Sequence, residues 1–211
     1  MRQHRKIPIK AKPKYAIMVD GESEFWYIQM LKRNEKLTSI DLQPKIPQRK
    51  KLSEQYDKVI ELSEEYDKVY WIIDFDVINK ETREANRGTQ TALQEFKGYC
   101  DNIEKKENIF VIINNPCFEY WLLLHFETTS KFYNSYDELS KQLKKHLPDY
   151  EKSQTYYTRQ EKDIYSRIAQ QLQTAIANAK KLKGFDFDNP NVGISQMHLL
   201  FEKIGVIGKI E

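Results

Sequence analysis

The stretch Val69-Tyr-Trp-Ile-Ile-Asp-Phe-Asp76 is an apolar run that stops at two aspartates. Two similar runs occur elsewhere in the chain: Tyr15–Val19 stops at Asp20, and Ile109–Ile113 stops at Asn114. Continuous β-branched and aromatic runs, separated by helix-like stretches, are typical of buried parallel strands. The three runs therefore predict an α/β fold with a largely parallel sheet flanked by helices.

Acidic residues cluster directly after the first two runs. They are Asp20, Glu22, Glu24, Asp74 and Asp76. In open parallel sheets, ligands bind in the crevice at the carboxyl ends of the strands. Carboxylates that meet there repel one another unless a cation lies between them. Mg²⁺, or Mn²⁺ in its place, is the cofactor that such oxygen ligands predict.

Asp74 and Asp76 are the strongest candidates for catalytic metal ligands. Alternate residues of a strand face the same side, so we expect the two carboxylates to project together from the strand end. The preceding buried run fixes where they emerge. The alternative is that one aspartate only caps the following loop.

Three further acidic residues are catalytic candidates. Asp20 directly continues the first strand, and we expect it to be the third metal ligand. Glu24 follows in a predicted helix, where it could instead stabilise the first turn through the helix dipole. Glu119 begins an apolar helix, and a carboxylate among such residues is costly unless it is paired. Its carboxylate either interacts favourably with the helix dipole or lies in the acidic crevice.

Basic residues closely follow the second acidic pair. Lys80, Arg83 and Arg87 lie a few residues after Asp76 and are predicted to contact the phosphates of a nucleic acid.

The chain divides into a basic tail over residues 1–14 and a single domain over 15–211. Within that domain we expect an α/β core over 15–116 and a mainly helical extension over 117–211. Asn115-Pro116 predicts the start of the first helix of the extension. One long helix is predicted over Ser153–Lys183, and a closing helix over Ile194–Ile204.

Composition narrows the class of protein. The net charge is +3 over 211 residues, which weakly favours a nucleic-acid partner. Cys100 and Cys117 fit no metal-ligand or disulfide spacing, as in reducing compartments. We expect no signal peptide and no membrane span, hence a cytoplasmic protein. No phosphate-binding loop of the G-x-x-x-x-G-K type occurs, so the chain should not hydrolyse nucleoside triphosphates alone.

The order of these signatures resembles the RloB family, which includes abortive-infection proteins of the AbiL type. The block from Asn115 to Phe126, NPCFEYWLLLHF, is similar to the family's N-P-x-F-E-x-W-L-L-L-H-F stretch almost throughout. The resemblance implies a Toprim-like fold, in which a glutamate and a D-x-D pair hold Mg²⁺. Asp74 and Asp76 match that pair. Asp20 stands where the glutamate is expected and is shorter by one methylene, roughly 1.5 Å.

The resemblance implies a Mg²⁺-dependent nuclease that cleaves DNA or RNA as an effector of defence against phage. A separately encoded ATPase is the implied partner, and an oligomer is possible. The short side chain of Asp20 motivates a second reading: a catalytically weak partner or sensor that binds an ATPase or nucleic acid without cutting. Nucleotidyl transfer is a third and weaker alternative.

Overall fold

A five-stranded sheet of order β2-β1-β3-β4-β5 forms the centre of the molecule. The computed structural model describes residues 13–45 and 50–204, so the predicted basic tail lies outside it apart from Pro13 and Lys14. The strands are β1 (Tyr15–Val19), β2 (Ile40–Gln43), β3 (Lys68–Asp74), β4 (Ile109–Asn115) and β5 (Ile194–Ser195). The first four are mutually parallel, and β5 pairs antiparallel with β4. The predicted α/β class is confirmed.

Helices cover both faces of the sheet. Those that precede β4 are α1 (Glu22–Asn34), α2 (Leu52–Glu65), α3 (Phe75–Glu84) and α4 (Ala92–Ile103). Those that follow it are α5 (Glu119–Leu124), α6 (Tyr136–Leu143), α7 (Gln154–Thr158), α8 (Ile164–Ile168), α9 (Leu172–Lys181) and α10 (His198–Ile204). A short 3₁₀ turn, Ala169–Gln171, joins α8 to α9. Along the described chain, no helix is long and apolar enough to cross a membrane.

Alternation along the strands separates two hydrophobic cores. Ile17 and Ile72 face a layer built from α1 and the helices after β4. Met18 and Ile73 face the opposite layer, which contains apolar residues of α2, α3 and α4. Successive side chains of a strand point to opposite faces. A shift of one residue along the strand therefore moves the side chain at its end from one layer to the other.

The chain turns from strand to helix at the acidic pair. Strand β3 ends at Asp74, and α3 begins at Phe75. Asp76 therefore lies in the first helical turn, and its backbone N–H donates to the Pro116 carbonyl at 2.9 Å. The prediction that both aspartates project from one strand is wrong, because the extended backbone it assumed stops at the first of them.

The helices in the second half of the chain are shorter and more often interrupted than predicted. The expected helix over Ser153–Lys183 consists of α7, α8, the 3₁₀ turn and α9. Ser153 caps the start of α7, where its Oγ accepts the Tyr156 N–H. The first break follows Thr158, and a second N-cap restarts the helix where Asp163 Oδ1 accepts the Ser166 N–H.

Two smaller boundaries also differ from the prediction. Asn115 ends β4, and the residue at the N-cap of the helix that begins at Glu119 is Phe118, so Asn115 does not cap it. The predicted closing helix starts only at His198, because Ile194–Ser195 forms β5. The second half of the chain thus contributes a strand to the sheet.

Candidate metal centre

Asp74 occupies the carboxyl end of the central part of the sheet, between β1 and β4. It follows Ile73 in β3, so alternation turns its side chain toward the layer of α1 and α5. The residue pairs in register with Asn114 of β4. This register brings the segment between β4 and α5 alongside the Asp74 carboxylate.

Three potential ligands converge at this point. One ligand atom each from Asp74, Cys117 and Glu119 lies within 4.8 Å of the other two. Cys117 and Glu119 are fully buried, and Asp74 is 9% exposed. The sequence after β4 therefore places a thiol and a carboxylate beside the carboxylate that ends β3.

The two oxygens of Glu119 have different surroundings. Oε1 accepts a hydrogen bond from the Tyr150 hydroxyl at 3.0 Å and lies 2.9 Å from Lys152 Nζ. Oε2 is buried and has no hydrogen-bond partner within the described part of the chain. Tyr150 in turn shares a 2.8 Å hydrogen bond with the Tyr157 hydroxyl. One oxygen is thus held in place while the other is left to bind something else.

Glu24 supplies a further carboxylate from the first turn of α1. It is 1% exposed, and burial is the main cause that raises its pKa to about 7. The Asp20 carboxylate raises this pKa further, whereas the Glu24 backbone amide and a hydrogen bond with the Asp74 side chain lower it. The carboxyl group of Glu24 therefore lies against that of Asp74.

Gly21 leaves room for the Glu24 side chain. A Cβ atom built at Gly21 would come within 2.8 Å of Glu24 Oε2, closer than real Cβ contacts. The φ angle of Gly21 is −132°, which any residue can adopt, so the glycine is needed for this close approach and not for the turn.

Burial and neighbouring charge also act on Asp74. Burial raises its pKa well above the usual value for an aspartate, and the carboxylates of Glu24, Glu119 and Asp76 raise it further. Lys152 opposes this shift only in part. Full ionisation of these carboxyl groups would therefore exceed the positive charge that Lys152 supplies.

Unpartnered oxygens show that these residues fit a bound cation. Glu24 Oε1, Asp74 Oδ1 and Glu119 Oε2 are all buried, and no donor among residues 13–45 and 50–204 reaches them. Buried oxygens without donors are rare in folded proteins and call for an explanation such as an ion or water. Carboxylate oxygens are the donors that Mg²⁺ and Mn²⁺ prefer.

Asp20 lies near the metal centre, but its side chain is on the other face of the sheet. It shares the alternation of Met18, and its Oδ1 accepts a 2.5 Å hydrogen bond from Gln55 Nε2 of α2. Gln55 is itself held by the Trp71 indole N–H at 3.0 Å. Asp20 and Asp74 still line one narrow cavity of about 30 Å³, but Asp20 does not belong to the converging ligand group.

Asp76 lies outside the ligand group and lines a neighbouring groove. The groove has a volume of about 350 Å³, and Lys80 and Arg83 line it with Asp76. Pro116 and Tyr136 form part of the opposite side. Arg87 lies beyond the end of α3 and does not line this groove. The structure thus brings Asp76 together with two of the three predicted phosphate contacts.

Sequence reasoning missed three residues of the centre. Cys117 lies inside the Asn115–Phe126 block and next to Phe118, so its place in that block was the available signal. Lys152 and Tyr150 lie more than 30 residues beyond Glu119 in a stretch without a motif, and nothing in the sequence pointed to them.

Fold and centre together define an α/β protein with a buried acidic site at the carboxyl edge of a mostly parallel sheet. The family described as RloB-like protein matches residues 15–204, and the chain belongs to that family. No curated protein and no solved structure matches the chain.

Proposed function

We propose that this protein is a divalent-metal-dependent nuclease that hydrolyses phosphodiester bonds in DNA or RNA. The observation that carries the proposal is the set of three buried carboxylate oxygens without donors, on Glu24, Asp74 and Glu119. They lie beside a groove lined by Lys80 and Arg83, so a cation site and a phosphate-binding surface adjoin each other. Membership in the RloB-like family and the resemblance to Toprim-like enzymes support the same reaction class.

Asp74, Glu119 and Glu24 are the residues that would hold Mg²⁺ or Mn²⁺. The bound cation would supply an activated water and offset the negative charge that develops on the phosphate. Tyr150 and Lys152 orient Glu119 through Oε1, so that Oε2 faces the centre. Burial of this carboxylate excludes competing water from the ligand oxygens.

The adjoining groove suits a nucleic-acid strand. Lys80 and Arg83 can contact phosphate oxygens, and the half-buried rings of Phe132 and Tyr136 offer surfaces for stacking bases. Lys152 Nζ lies 4.8 Å from the centre of the Tyr136 ring. The lysine therefore connects the groove with the acidic centre.

We also propose the biological setting that the family resemblance implies. The protein acts in the cytoplasm as an effector of anti-phage abortive infection, together with a separately encoded ATPase. Such an arrangement suits a chain whose own sequence lacks a phosphate-binding loop of the NTP-hydrolysing type.

One observation favours a second candidate function, binding without cleavage. The Asp20 carboxylate, which stands where the Toprim-like glutamate is expected, is turned toward α2 and bound by Gln55. If Glu24 does not take over the role expected of Asp20 as a metal ligand, the centre would hold a cation or a nucleic acid without activating water.

Incubation with end-labelled DNA and tRNA pools tests both candidates. The chain is assayed in Mg²⁺, Mn²⁺ or EDTA, with and without its ATPase partner. We expect cleavage that requires the cation and is lost in Asp74→Asn but kept in Asp101→Asn, a change on the exposed face of α4. Tight binding in every condition without any product would support the second candidate and overturn the first.

A further inference from the structure

We propose that Cys117 is a metal ligand of the acidic centre, so that this centre prefers thiophilic cations such as Zn²⁺ and Co²⁺ beyond what carboxylates alone give. The inference deepens the proposed function and rests on it, because it concerns which cation the same site selects. It starts from the convergence of a sulfur with the carboxylates of Asp74 and Glu119 within 4.8 Å.

Cys117 is placed by rigid elements on both sides. It stands between the end of β4 at Asn115 and the start of α5 at Glu119. Its side chain is 1% exposed, so the thiol cannot turn out to solvent. The carbonyl of Cys117 also accepts the Tyr120 N–H at 2.9 Å, which fixes the backbone at this position. The sulfur therefore stays within the centre.

Two buried carboxylate oxygens indicate a ligand at this point. Asp74 Oδ1 and Glu119 Oε2 are buried by nine-tenths or more, and each lacks a hydrogen-bond partner among the described residues. Lys152 is not the partner of Glu119 Oε2, because it pairs with the other oxygen of that carboxylate. A cation bound by the two unpartnered oxygens would lie within reach of the Cys117 sulfur.

Ligand chemistry then decides which cation binds best. Mg²⁺ takes oxygen ligands and gains little from sulfur, whereas thiolates select softer cations such as Zn²⁺. A mixed set of two or three carboxylates and one thiol lies between the oxygen-only sites that suit Mg²⁺ and the thiolate sites that suit softer cations. On binding, the Cys117 thiol would release its proton to solvent and bind the cation as a thiolate. The sulfur should therefore increase affinity for Zn²⁺ and Co²⁺ without improving the binding of Mg²⁺.

Cysteine-to-serine variants provide a matched test. Cys117→Ser keeps the size of the side chain but removes the sulfur, and Cys100→Ser makes the same change on α4, on the other side of the sheet. Each protein is titrated with Zn²⁺, Mn²⁺ and Mg²⁺ by calorimetry, and with Co²⁺ by absorption spectroscopy. Circular dichroism confirms that the variants are folded.

We expect a sulfur-to-cobalt charge-transfer band in the wild type and in Cys100→Ser that is absent in Cys117→Ser. Zn²⁺ affinity should fall at least about tenfold in Cys117→Ser, while Mg²⁺ affinity changes less than about twofold. If the wild type binds Mg²⁺ and Mn²⁺ but the band is missing or survives in Cys117→Ser, this inference is overturned and the metal centre stands. If the wild type binds no divalent cation at all, the proposed function fails as well.

Discussion

Lys152 Nζ lies 2.9 Å from Glu119 Oε1 and joins a partly exposed lysine of the second half of the chain to a fully buried carboxylate at the sheet edge. Burial disfavours the lysine charge, yet Glu119, Cys117 and Asp74 together outweigh this effect and raise the pKa of Lys152. The lysine side chain is 41% exposed and can be hydrated without its partner, whereas Glu119 cannot. The carboxylate therefore depends on the pair more than the lysine does.

Replacing Lys152 by methionine should destabilise the metal-free protein. The buried Glu119 would keep only the Tyr150 hydroxyl on Oε1, at a cost of about 1–3 kcal/mol after allowance for the exposure of the lysine. Urea denaturation in EDTA measures the change. Lys180→Met breaks the exposed Lys180–Glu202 pair and should cost less than about 1 kcal/mol. Equal losses in the two variants would contradict the special role of Lys152.

Asp74→Asn should stabilise the metal-free protein and remove its response to metal. The substitution removes a charge from a buried, repulsive cluster, so the free energy of unfolding in EDTA should rise by about 1–2 kcal/mol. In the wild type, Mn²⁺ at one hundred times its Kd should add about 2.7 kcal/mol. Thermal melts with and without Mn²⁺ measure both effects. A variant that is less stable in EDTA, or that still responds to Mn²⁺, would show that Asp74 is not the central ligand.

Gly21→Ala should weaken cation binding with little effect on folding. The added Cβ would push against Glu24 Oε2 and displace this carboxylate from Asp74. We expect Mn²⁺ affinity to drop by about tenfold, with a stability change within about 1 kcal/mol, both measured on the same protein sample. In Gly98→Ala the new Cβ meets nothing within 4 Å inside α4. That control should gain about 0.5–1 kcal/mol and bind Mn²⁺ normally.

The groove residues should contribute to nucleic-acid binding in a salt-dependent manner. In the double variant Lys80→Ala and Arg83→Ala, the slope of log affinity against log salt should become shallower by roughly 1.5, since each phosphate contact contributes about 0.7–0.9. Fluorescence anisotropy with a labelled oligonucleotide measures this slope. Arg87→Ala is the control, because Arg87 does not line the groove. An equal effect of Arg87→Ala would show that binding follows overall charge and does not use the groove.

His125 should make stability depend on pH between about 6.5 and 4. The ring is 2% exposed, its Nδ1 donates to the Trp121 carbonyl at 3.0 Å, and burial lowers its pKa to about 4. The unfolded chain therefore binds a proton more readily, so the contribution of His125 is complete above pH 6.5 and is lost as the pH falls toward 4. The loss should reach about 3 kcal/mol.

Urea denaturation of the wild type and His125→Asn across this pH range isolates the histidine. The variant should show a smaller loss of stability on acidification, because asparagine does not titrate. His146 is partly exposed and bound to Glu127, so His146→Asn serves as the control and should keep the acid-sensitive component. Parallel pH profiles for the wild type and His125→Asn would contradict the prediction.

The strands and their acidic ends could be predicted because each is a local pattern. Apolar runs over Tyr15–Val19, Val69–Ile73 and Ile109–Ile113 lie within β1, β3 and β4. The helix breaks after Thr158 and Ile168 were missed, since an apolar stripe continues across them. The break after Asp74 was missed for a similar reason: the residue spacing of Asp74 and Asp76 fits a strand, but the backbone there is already helical.

By itself, the sequence determined the α/β class, the family block over Asn115–Phe126, and the strand ends that carry carboxylates, because these follow from neighbouring residues in the chain. Only the tertiary structure decided which carboxylates meet. Strand alternation and register turned Asp20 toward α2 and Asp74 toward α1, where Glu24 and Glu119 join it. Long-range packing of the second half then brought Lys152 to Glu119, and no local pattern encodes a contact between such distant segments.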